Sequence, residues 1–349
     1  MKRVQQELGL YLSEKVDARE GGRIDRIAQE AGVTLRRYTR SRPPPAPDAL
    51  HAAFFSRELY EGSTLRKPGP ASNAFFEVVD TAPNLKWLHV CSSGLDLPQY
   101  SASLARGVKV TPSSGTTAAP IAQSVLAAVL AHSRGFIHWL DAQQRREWAP
   151  LRGAAAPRDI SEQHALVLGA GPIGLEIGRL LKAVGFRTTV GRRTAVPTPP
   201  FDACVPFAGI DGVLPGCDWL ILALPLTEDT HQIIDAERLA LLPPHARMVN
   251  IARGELVDAN ALIAALESGR LAGAYLDTFA VEPLPADSPL WTLPGVWITP
   301  HNCAASQGHE QRVVESFIRE LRAWLREQAA GSPSLSTLPS QNRIDGVST

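Results

Sequence analysis

The sequence ALVLGAGPIG at residues 165–174 joins a short apolar run to a cluster of glycines, and an apolar-periodic segment follows it. This order predicts a buried parallel strand, a tight turn and the N-terminus of a helix. Gly169 permits the sharp turn, Gly171 leaves room for a pyrophosphate at the backbone, and Gly174 lets the helix pack close to the strand. The helix N-terminus offers unpaired N–H groups to an anion. The predicted dinucleotide contacts of this turn are Gly169, Gly171, Pro172, Ile173 and Gly174.

Bulk composition narrows the function classes. A chain of 349 residues predicts about two domains. The formal net charge of zero gives no electrostatic reason to expect a nucleic acid or an acidic membrane as partner. The four cysteines are scattered without metal-site or disulfide spacing, so we expect no metal and a reducing, cytoplasmic compartment. No apolar run reaches the roughly 18 residues of a membrane span, and the N-terminus lacks a signal-peptide core.

Strands alternate with helices along the first part of the chain, which predicts a small α/β unit with a parallel sheet. Its predicted strands are 8–12, 33–38, 52–55, 85–91 and 108–111, with helices at 17–31 and 71–80. Two further helical segments are predicted at 118–132 and 134–148.

The second α/β unit begins at the glycine turn. Its predicted strands are 165–168, 188–190, 219–223, 248–250, 274–276 and 296–299, and its helices are 175–184, 236–241 and 259–268. Six strands are typical of a doubly wound sheet. The amphipathic segment 309–328 predicts a last helix, and the Ser-, Pro- and Gly-rich segment 330–349 predicts a surface tail.

The end of the second strand of this unit indicates which dinucleotide binds. In such folds a carboxylate at this place binds the ribose 2′-OH of NAD, whereas arginine accommodates the 2′-phosphate of NADP. Here Arg192, Arg193 and Thr194 follow the strand, and the first acid is Asp202. A solvated basic turn is the alternative, but the position and the missing acid favour NADP(H) over NAD(H).

Three later stretches each follow a predicted strand: NIARGELVD at 250–258, LDTFAVEPLP at 276–285 and TPHN at 299–302. The carboxyl ends of parallel strands open onto one ligand crevice. One arginine, one glutamate and one histidine are therefore expected to meet beside the dinucleotide.

In this order and spacing, the three stretches resemble the D-specific 2-hydroxyacid dehydrogenase family. ALPLTEDT at 223–230 is similar to a family loop, and 85–96 is similar to the family's substrate loop. The basic turn at Arg192 is similar to the glyoxylate/hydroxypyruvate reductase branch, which prefers NADPH. The further cofactor contacts that the resemblance implies are Leu224, Pro225, Thr230, Ile251, Ala252 and Asp277. For Asp277 a purely structural role in a turn is the alternative.

The implied reaction is reduction of a 2-keto acid, which needs a proton donor that titrates near neutral pH. We assign His301 as general acid, Glu282 as the carboxylate that orients its ring, and Arg253 as the group that binds the substrate carboxylate and polarises the carbonyl. The resemblance implies that backbone N–H groups of Ser93, Gly94 and Leu95 also bind that carboxylate. Each of the three side chains also has a purely structural interpretation. His301 would be a packed histidine, Glu282 a loop carboxylate and Arg253 a member of a surface ion pair.

The resemblance also implies an architecture of two doubly wound parallel-sheet domains, one flavodoxin-like and one of Rossmann type, with the active site in the cleft between them. The substrate domain comprises 1–117 plus 302–349, and the dinucleotide-binding domain comprises 118–301. A homodimer through the cofactor domain is expected from the helices at 118–148. Two alternative functions stay open: an NAD-linked dehydrogenase of another D-2-hydroxy acid, and a dinucleotide-sensing regulatory protein on the same fold. Cys91 and Cys303 are interpreted either as packing residues or as oxidation-sensitive thiols.

Overall fold

The computed structural model of the chain describes residues 7–63, 68–95 and 97–330. Residue 96 of the predicted substrate loop and residues 331–349 of the predicted tail lie outside the described residues. The chain divides into two compact units, Met1–Ser113 with Glu310–Thr349 and Ser114–His309.

The described strands are β1 (Glu7–Tyr11), β2 (Thr34–Tyr38), β3 (Ala52–Phe55), β4 (Trp87–Val90), β5 (Lys109–Pro112), β6 (His164–Leu168), β7 (Arg187–Arg192), β8 (Ala203–Pro206), β9 (Trp219–Leu222), β10 (Arg247–Asn250), β11 (Gly273–Leu276) and β12 (Val296–Ile298). The described helices are α1 (Glu14–Glu30), α2 (Arg57–Tyr60), α3 (Pro70–Asp80), α4 (Pro98–Ala105), α5 (Ala118–Ser133), α6 (Phe136–Gln144), α7 (Pro172–Ala183), α8 (Ala236–Leu241), α9 (Ala259–Glu267) and α10 (His309–Ala330).

The first unit is built on a parallel sheet with the strand order β2-β1-β3-β4-β5. This is the flavodoxin-like order, and its five strands are those predicted. Helices α2 and α4 were not predicted. In α4 two of the eight residues are serines, and Ser103 is buried beside Tyr100, so the apolar period that marks a helix is weak.

The second unit holds a sheet with the order β12-β11-β10-β9-β6-β7-β8, in which neighbouring strands are parallel. This is the doubly wound order with one strand more than the predicted six. The missed strand is β8, which pairs with β7 alone among the described strands. A four-residue edge strand that ends in proline carries too little apolar pattern to be recognised.

Helix boundaries differ from prediction at two places. Helix α7 begins at Pro172 rather than at 175, because proline suits the first turn of a helix, whose N–H groups need no helical acceptor. The segment predicted helical at 134–148 contains the shorter α6. Gly135, with a φ of 78°, separates α5 from α6. No helix within the described residues is long and apolar enough to cross a membrane.

Candidate active site

The glycine turn after β6 gives its three glycines different surroundings. Gly169 has a φ of +111°, which residues with a side chain rarely adopt. A Cβ on Gly174 would lie 2.0 Å from the Gly169 carbonyl oxygen, so any side chain there would push α7 away from the strand. A Cβ on Gly171 would meet no atom within 4 Å. The backbone at the start of α7 is therefore open, and its residues fit a dinucleotide pyrophosphate.

Strand β7 lies next to β6 in the sheet and ends at Arg192. The Arg192 guanidinium donates to Thr198 Oγ1 at 3.0 Å, while Arg193 and Thr194 are exposed. Asp202, the first acid after the strand, accepts from Lys182 Nζ at 2.7 Å and from the Thr188 amide at 2.9 Å. These bonds hold its carboxylate beside the beginning of β7, so it does not replace the missing acid at the strand end.

The loop after β9 is held by Thr230. Its hydroxyl donates to the Pro225 carbonyl at 2.8 Å and accepts from the Thr227 amide at 2.8 Å. Thr230 and Leu224 are buried. Thr230 therefore shapes this loop, and direct contact of Leu224, Pro225 and Thr230 with a cofactor stays a prediction.

The loop after β10 carries Arg253 and is braced by a residue to which we gave no role. Asn250 accepts from the Ala252 amide at 3.1 Å and donates to the Arg253 carbonyl at 2.8 Å. Ile251 and Ala252, the first residues of the loop, are buried, and their contact with a cofactor stays a prediction. A Cβ on Gly254 would lie 2.0 Å from the carbonyl carbon of Phe279. Glycine at this position therefore lets the Arg253 loop approach the loop that carries Glu282.

His301 and Glu282 form a hydrogen-bonded pair. His301 Nδ1 lies 2.9 Å from Glu282 Oε2, and Glu282 Oε1 accepts from the Phe279 amide at 3.0 Å. Within the described residues the ring makes no other hydrogen bond, so Nε2 is left for a ligand. Burial raises the pKa of Glu282, but the hydrogen bonds from His301 and Phe279 and the charges of His301 and Arg253 outweigh it, and the net pKa is lowered. The glutamate is therefore ionised at neutral pH.

Asp277, at the end of β11, fixes the loop that carries His301. Its Oδ1 accepts from Thr299 Oγ1 at 2.5 Å, from the Asn302 amide at 2.8 Å and from the Cys303 amide at 3.0 Å. Its carbonyl oxygen accepts from the His301 amide at 2.8 Å. Asp277 thus acts as a structural residue of this turn, the alternative raised above, and contact with a nicotinamide stays a prediction.

The predicted substrate loop belongs to the first unit. Ser92 Oγ donates to the Gly94 carbonyl at 2.8 Å, and the Ser113 amide donates to the Ser92 carbonyl at 2.9 Å. Ser93 is exposed, and Gly94 and Leu95 are partly exposed. These three residues are therefore accessible to solvent, and binding of a carboxylate by their backbone N–H groups stays a prediction.

The structure thus brings Glu282 and His301 into contact and places the Arg253 charge close enough to affect the glutamate.

Both cysteines near these loops are buried. Burial raises the pKa of Cys91 to about 12, and burial together with Asp277 raises that of Cys303, so neither carries the thiolate on which reactivity depends. Asn250 and Gly254 were missed, since no pattern in one sequence marks a residue that braces a loop.

Comparison with known proteins shows which family this chain resembles. Residues 126–303 match the family model "D-isomer specific 2-hydroxyacid dehydrogenase, NAD binding domain". A glyoxylate reductase of Thermococcus onnurineus is 32% identical over 253 residues, covering 71% of this chain and 75% of that protein. A glyoxylate/hydroxypyruvate reductase B of Pectobacterium carotovorum is 34% identical over 257 residues, covering 70% and 79%.

Among solved structures, a D-isomer specific 2-hydroxyacid dehydrogenase from Xanthobacter autotrophicus Py2, in complex with NADPH and MES, superposes with a TM-score of 0.68 and 30% identity over 95% of this chain and 98% of that one. The predicted family and the two-domain Rossmann-type fold are thereby confirmed. The chain belongs to the D-isomer specific 2-hydroxyacid dehydrogenase family and is an NAD(P)-dependent 2-hydroxyacid dehydrogenase or 2-ketoacid reductase.

Proposed function

We propose that this enzyme reduces a small 2-keto acid of the glyoxylate or hydroxypyruvate type to the D-2-hydroxy acid, with NADPH as the reductant. The observation that carries the proposal is the His301–Glu282 pair at 2.9 Å, whose Nε2 side is left for a ligand. The glyoxylate and hydroxypyruvate reductases among the relatives support this substrate class.

The chain's own residues supply acid catalysis and substrate binding. A bound reduced nicotinamide supplies the hydride. In the proposed mechanism His301 donates the Nε2 proton to the oxygen on which negative charge develops, and Glu282 accepts from Nδ1 and stabilises the imidazolium. Arg253 binds the substrate carboxylate and polarises the carbonyl. Backbone N–H groups of Ser93, Gly94 and Leu95 are the proposed additional donors to that carboxylate.

The general-acid role is tested with purified protein, reduced cofactor and a panel of 2-keto acids, by following the loss of cofactor absorbance. We expect turnover with glyoxylate or hydroxypyruvate. His301→Ala should lower kcat by about 10²- to 10⁴-fold while cofactor affinity stays unchanged. His245→Ala, which removes an exposed histidine paired with Asp218, is the matched control. Turnover that survives in His301→Ala would contradict the role, and failure with every acid would favour the dinucleotide-sensing alternative.

The preference for NADPH rests on the end of β7. Arg192, Arg193 and Thr194 offer guanidinium and hydroxyl donors to a 2′-phosphate, and Asp202 is engaged by Lys182. We expect a higher kcat/KM with NADPH than with NADH. Replacing Arg192 and Arg193 with alanine should lower kcat/KM for NADPH at least tenfold and leave NADH nearly unchanged. Arg187→Ala, at the beginning of the same strand, is the control. Faster turnover of NADH by the unmodified enzyme would refute the preference.

We further propose a cytoplasmic homodimer that assembles through the cofactor domain. The free cysteines suit a reducing compartment. Helix α6 and the segment after it expose four large apolar side chains: Phe136, Trp139, Leu140 and Trp148. Trp148 is 95% exposed, so this surface gains from being covered by a second copy.

A further inference from the structure

Four polar side chains of the first unit are linked by hydrogen bonds between β4 and β5. The Trp87 indole N–H donates to Thr111 Oγ1 at 2.8 Å, and the same oxygen lies 2.8 Å from His89 Nδ1. On the other side of the ring, His89 Nε2 lies 3.0 Å from Ser113 Oγ. His89 and Ser113 are fully buried. We call Trp87, Thr111, His89 and Ser113 the His89 network.

The direction of these hydrogen bonds follows from the Trp87 end. An indole N–H can only donate, so Thr111 Oγ1 accepts it and the single Thr111 hydroxyl proton is left for His89 Nδ1. The ring proton therefore stands on Nε2 and is donated to Ser113 Oγ, whose own proton goes to the Val90 carbonyl at 2.8 Å. With the ring proton on Nδ1 instead, the Thr111 proton would have no acceptor among the described residues. The network thus requires a neutral histidine that donates to Ser113.

Packing alone does not account for a histidine at this position. The rings of Phe54 and Phe317 lie 5.6 and 5.9 Å from the His89 ring, measured between centroids, so an apolar side chain would suit these surroundings. Burial, and secondly the charge of Arg319, lowers the pKa of His89 to about 3, which keeps the ring neutral at physiological pH. A buried polar ring is unfavourable unless its nitrogen atoms are paired. What the histidine adds over an apolar side chain is its hydrogen bond to Ser113.

Ser113 connects the His89 network to the predicted substrate loop. The Ser113 amide donates to the carbonyls of Val90 and Ser92, at 3.0 and 2.9 Å. The Ser92 hydroxyl in turn donates to the Gly94 carbonyl at 2.8 Å. All of these contacts lie within the first unit. His89 therefore holds the Ser113 side chain, the Ser113 backbone holds Ser92, and Ser92 holds the turn of the loop.

We propose that His89 is a positioning residue for the 2-keto acid: acting through Ser113 and Ser92, it fixes the loop whose backbone N–H groups bind the substrate carboxylate. The inference rests on the proposed binding of that carboxylate by residues 93–95. A loop that is already held in its binding conformation loses less conformational entropy when the substrate binds. The carboxylate is bound in the ground state and in the transition state alike, so loss of this support should raise the KM for the keto acid and leave kcat unchanged.

Steady-state kinetics with the 2-keto acid that the enzyme reduces fastest test this role. His89→Leu removes both ring nitrogen atoms and places an apolar side chain among apolar rings. We expect the KM for the keto acid to rise about tenfold, with kcat and the KM for NADPH within about twofold of the unmodified values. His89→Gln keeps an N–H donor for Ser113 and should stay close to the unmodified KM. A merely structural histidine would lower the fraction of folded enzyme, and hence the apparent kcat, but not this KM.

The matched control is His51→Leu. It removes a partly buried histidine of the same unit, just before β3, whose Nδ1 accepts from the Gly9 amide at 3.1 Å, and it should leave the keto-acid KM unchanged. Ser113→Ala cuts the network between His89 and the loop, and serves if His89→Leu does not fold. It should raise the same KM, and the double variant should raise it no further, because the two residues act in series. An unchanged KM in His89→Leu and Ser113→Ala, additive effects in the double variant, or an equal rise in His51→Leu overturns the proposal.

Ser93→Pro separates this inference from the proposed function, because it removes one of the proposed N–H donors directly. We expect it to raise the keto-acid KM as His89→Leu does. If Ser93→Pro raises this KM and His89→Leu does not, the positioning role of His89 fails alone. If neither variant changes it, binding of the carboxylate by residues 93–95 fails as well.

Discussion

His301 has a φ of +51°, one of three non-glycine residues of the described chain in the left-handed region. This conformation costs about 1–3 kcal/mol and persists only where neighbours enforce it. The enforcing groups are visible: the His301 amide donates to the carbonyls of Asp277 and Thr299, at 2.8 and 3.0 Å. Asp277 Oδ1 accepts from the two amides that follow. The backbone thus fixes the place from which the ring meets Glu282.

Glutamine at position 282 should shift the pH dependence of keto-acid reduction. The lowered pKa of Glu282 means that its carboxylate is ionised over the whole neutral range and is lost only below its usual value of 4.5. Glu282→Gln removes the negative charge that stabilises the imidazolium, so the proton donor is populated only at lower pH. We expect the alkaline limb of the kcat/KM profile to move to lower pH, with kcat at least about tenfold lower.

The control for that measurement is Glu237→Gln, on an exposed face of α8, which should reproduce the unmodified profile. An alkaline limb that stays in place in Glu282→Gln would show that the carboxylate does not set the ionisation of the proton donor. Cofactor affinity, measured separately, should be the same in both variants.

At this scale the sequence predicted the residue types of the site but not their supports. Histidine, glutamate and arginine follow strands in motifs that carry their chemistry, so they could be found. Asn250 could not, because its importance lies in two bonds to the backbone on either side of the Arg253 turn. Such bonds depend on the fold of the loop rather than on any spacing along the chain.

At the scale of elements, the turn between β6 and α7 shows that glycines of one motif serve different ends. Gly174 serves packing, since its missing side chain admits the Gly169 carbonyl. Gly171 has ordinary dihedral angles, with φ of −75° and ψ of 178°, and open space around it. Folding therefore does not require glycine at 171. A ligand that approaches the backbone there does require it, because a side chain would stand in its way.

Alanine substitutions should separate these two roles. Gly174→Ala should destabilise the protein by about 1–3 kcal/mol, because the added methyl overlaps the Gly169 carbonyl. Gly171→Ala should leave the urea midpoint within the range of surface substitutions and raise the KM for the dinucleotide instead. Urea unfolding and initial rates measure the two effects. Equal loss of stability in both variants, with unchanged KM in Gly171→Ala, would contradict the division.

Elements were predictable where a long apolar pattern or a glycine marked them. The remaining strands of both sheets and helices such as α8 were found within a few residues. Asp258 caps α9 and accepts from the amides of Asn260 and Ala261. Strand β8 was missed because a strand at the edge of a sheet is paired on one side only and buries few side chains, so its sequence carries little apolar pattern. Tertiary pairing, rather than local sequence, makes it a strand.

At the scale of the molecule, each unit has its own hydrophobic core, and α10 completes that of the first. Phe317 of α10 stacks on Phe54 of β3 with ring centroids 4.2 Å apart, and Trp87 lies 5.8 Å from the same ring. Ion pairs line the contact of α10 with α1, including Arg23 to Glu315 at 2.7 Å. The last helix therefore belongs energetically with the first residues of the chain.

Phe317→Ala should destabilise the first unit by about 3–5 kcal/mol, because it leaves a cavity between α10 and the sheet. Urea unfolding followed by tryptophan fluorescence measures this, since Trp87 lies beside the cavity and Trp324 stacks on Trp87. Leu241→Ala, on a side chain that is 39% exposed in the second unit, is the control. A loss for Phe317→Ala no larger than for the control would mean that α10 contributes little to that core.

The exposed apolar surface of α6 carries the last prediction. Phe136 and Leu140 stand one helical turn apart, 53% and 50% exposed, so they share one face of α6. If that face is covered by a second copy, Phe136→Asp with Leu140→Asp places two like charges in a desolvated contact and should convert a dimer into a monomer. Light scattering coupled to gel filtration measures the mass. Leu104→Lys, an exposed apolar residue of the first unit, should stay dimeric. A dimer that survives the double substitution would place the interface elsewhere, because an apolar contact cannot bury two unpaired charges at no cost.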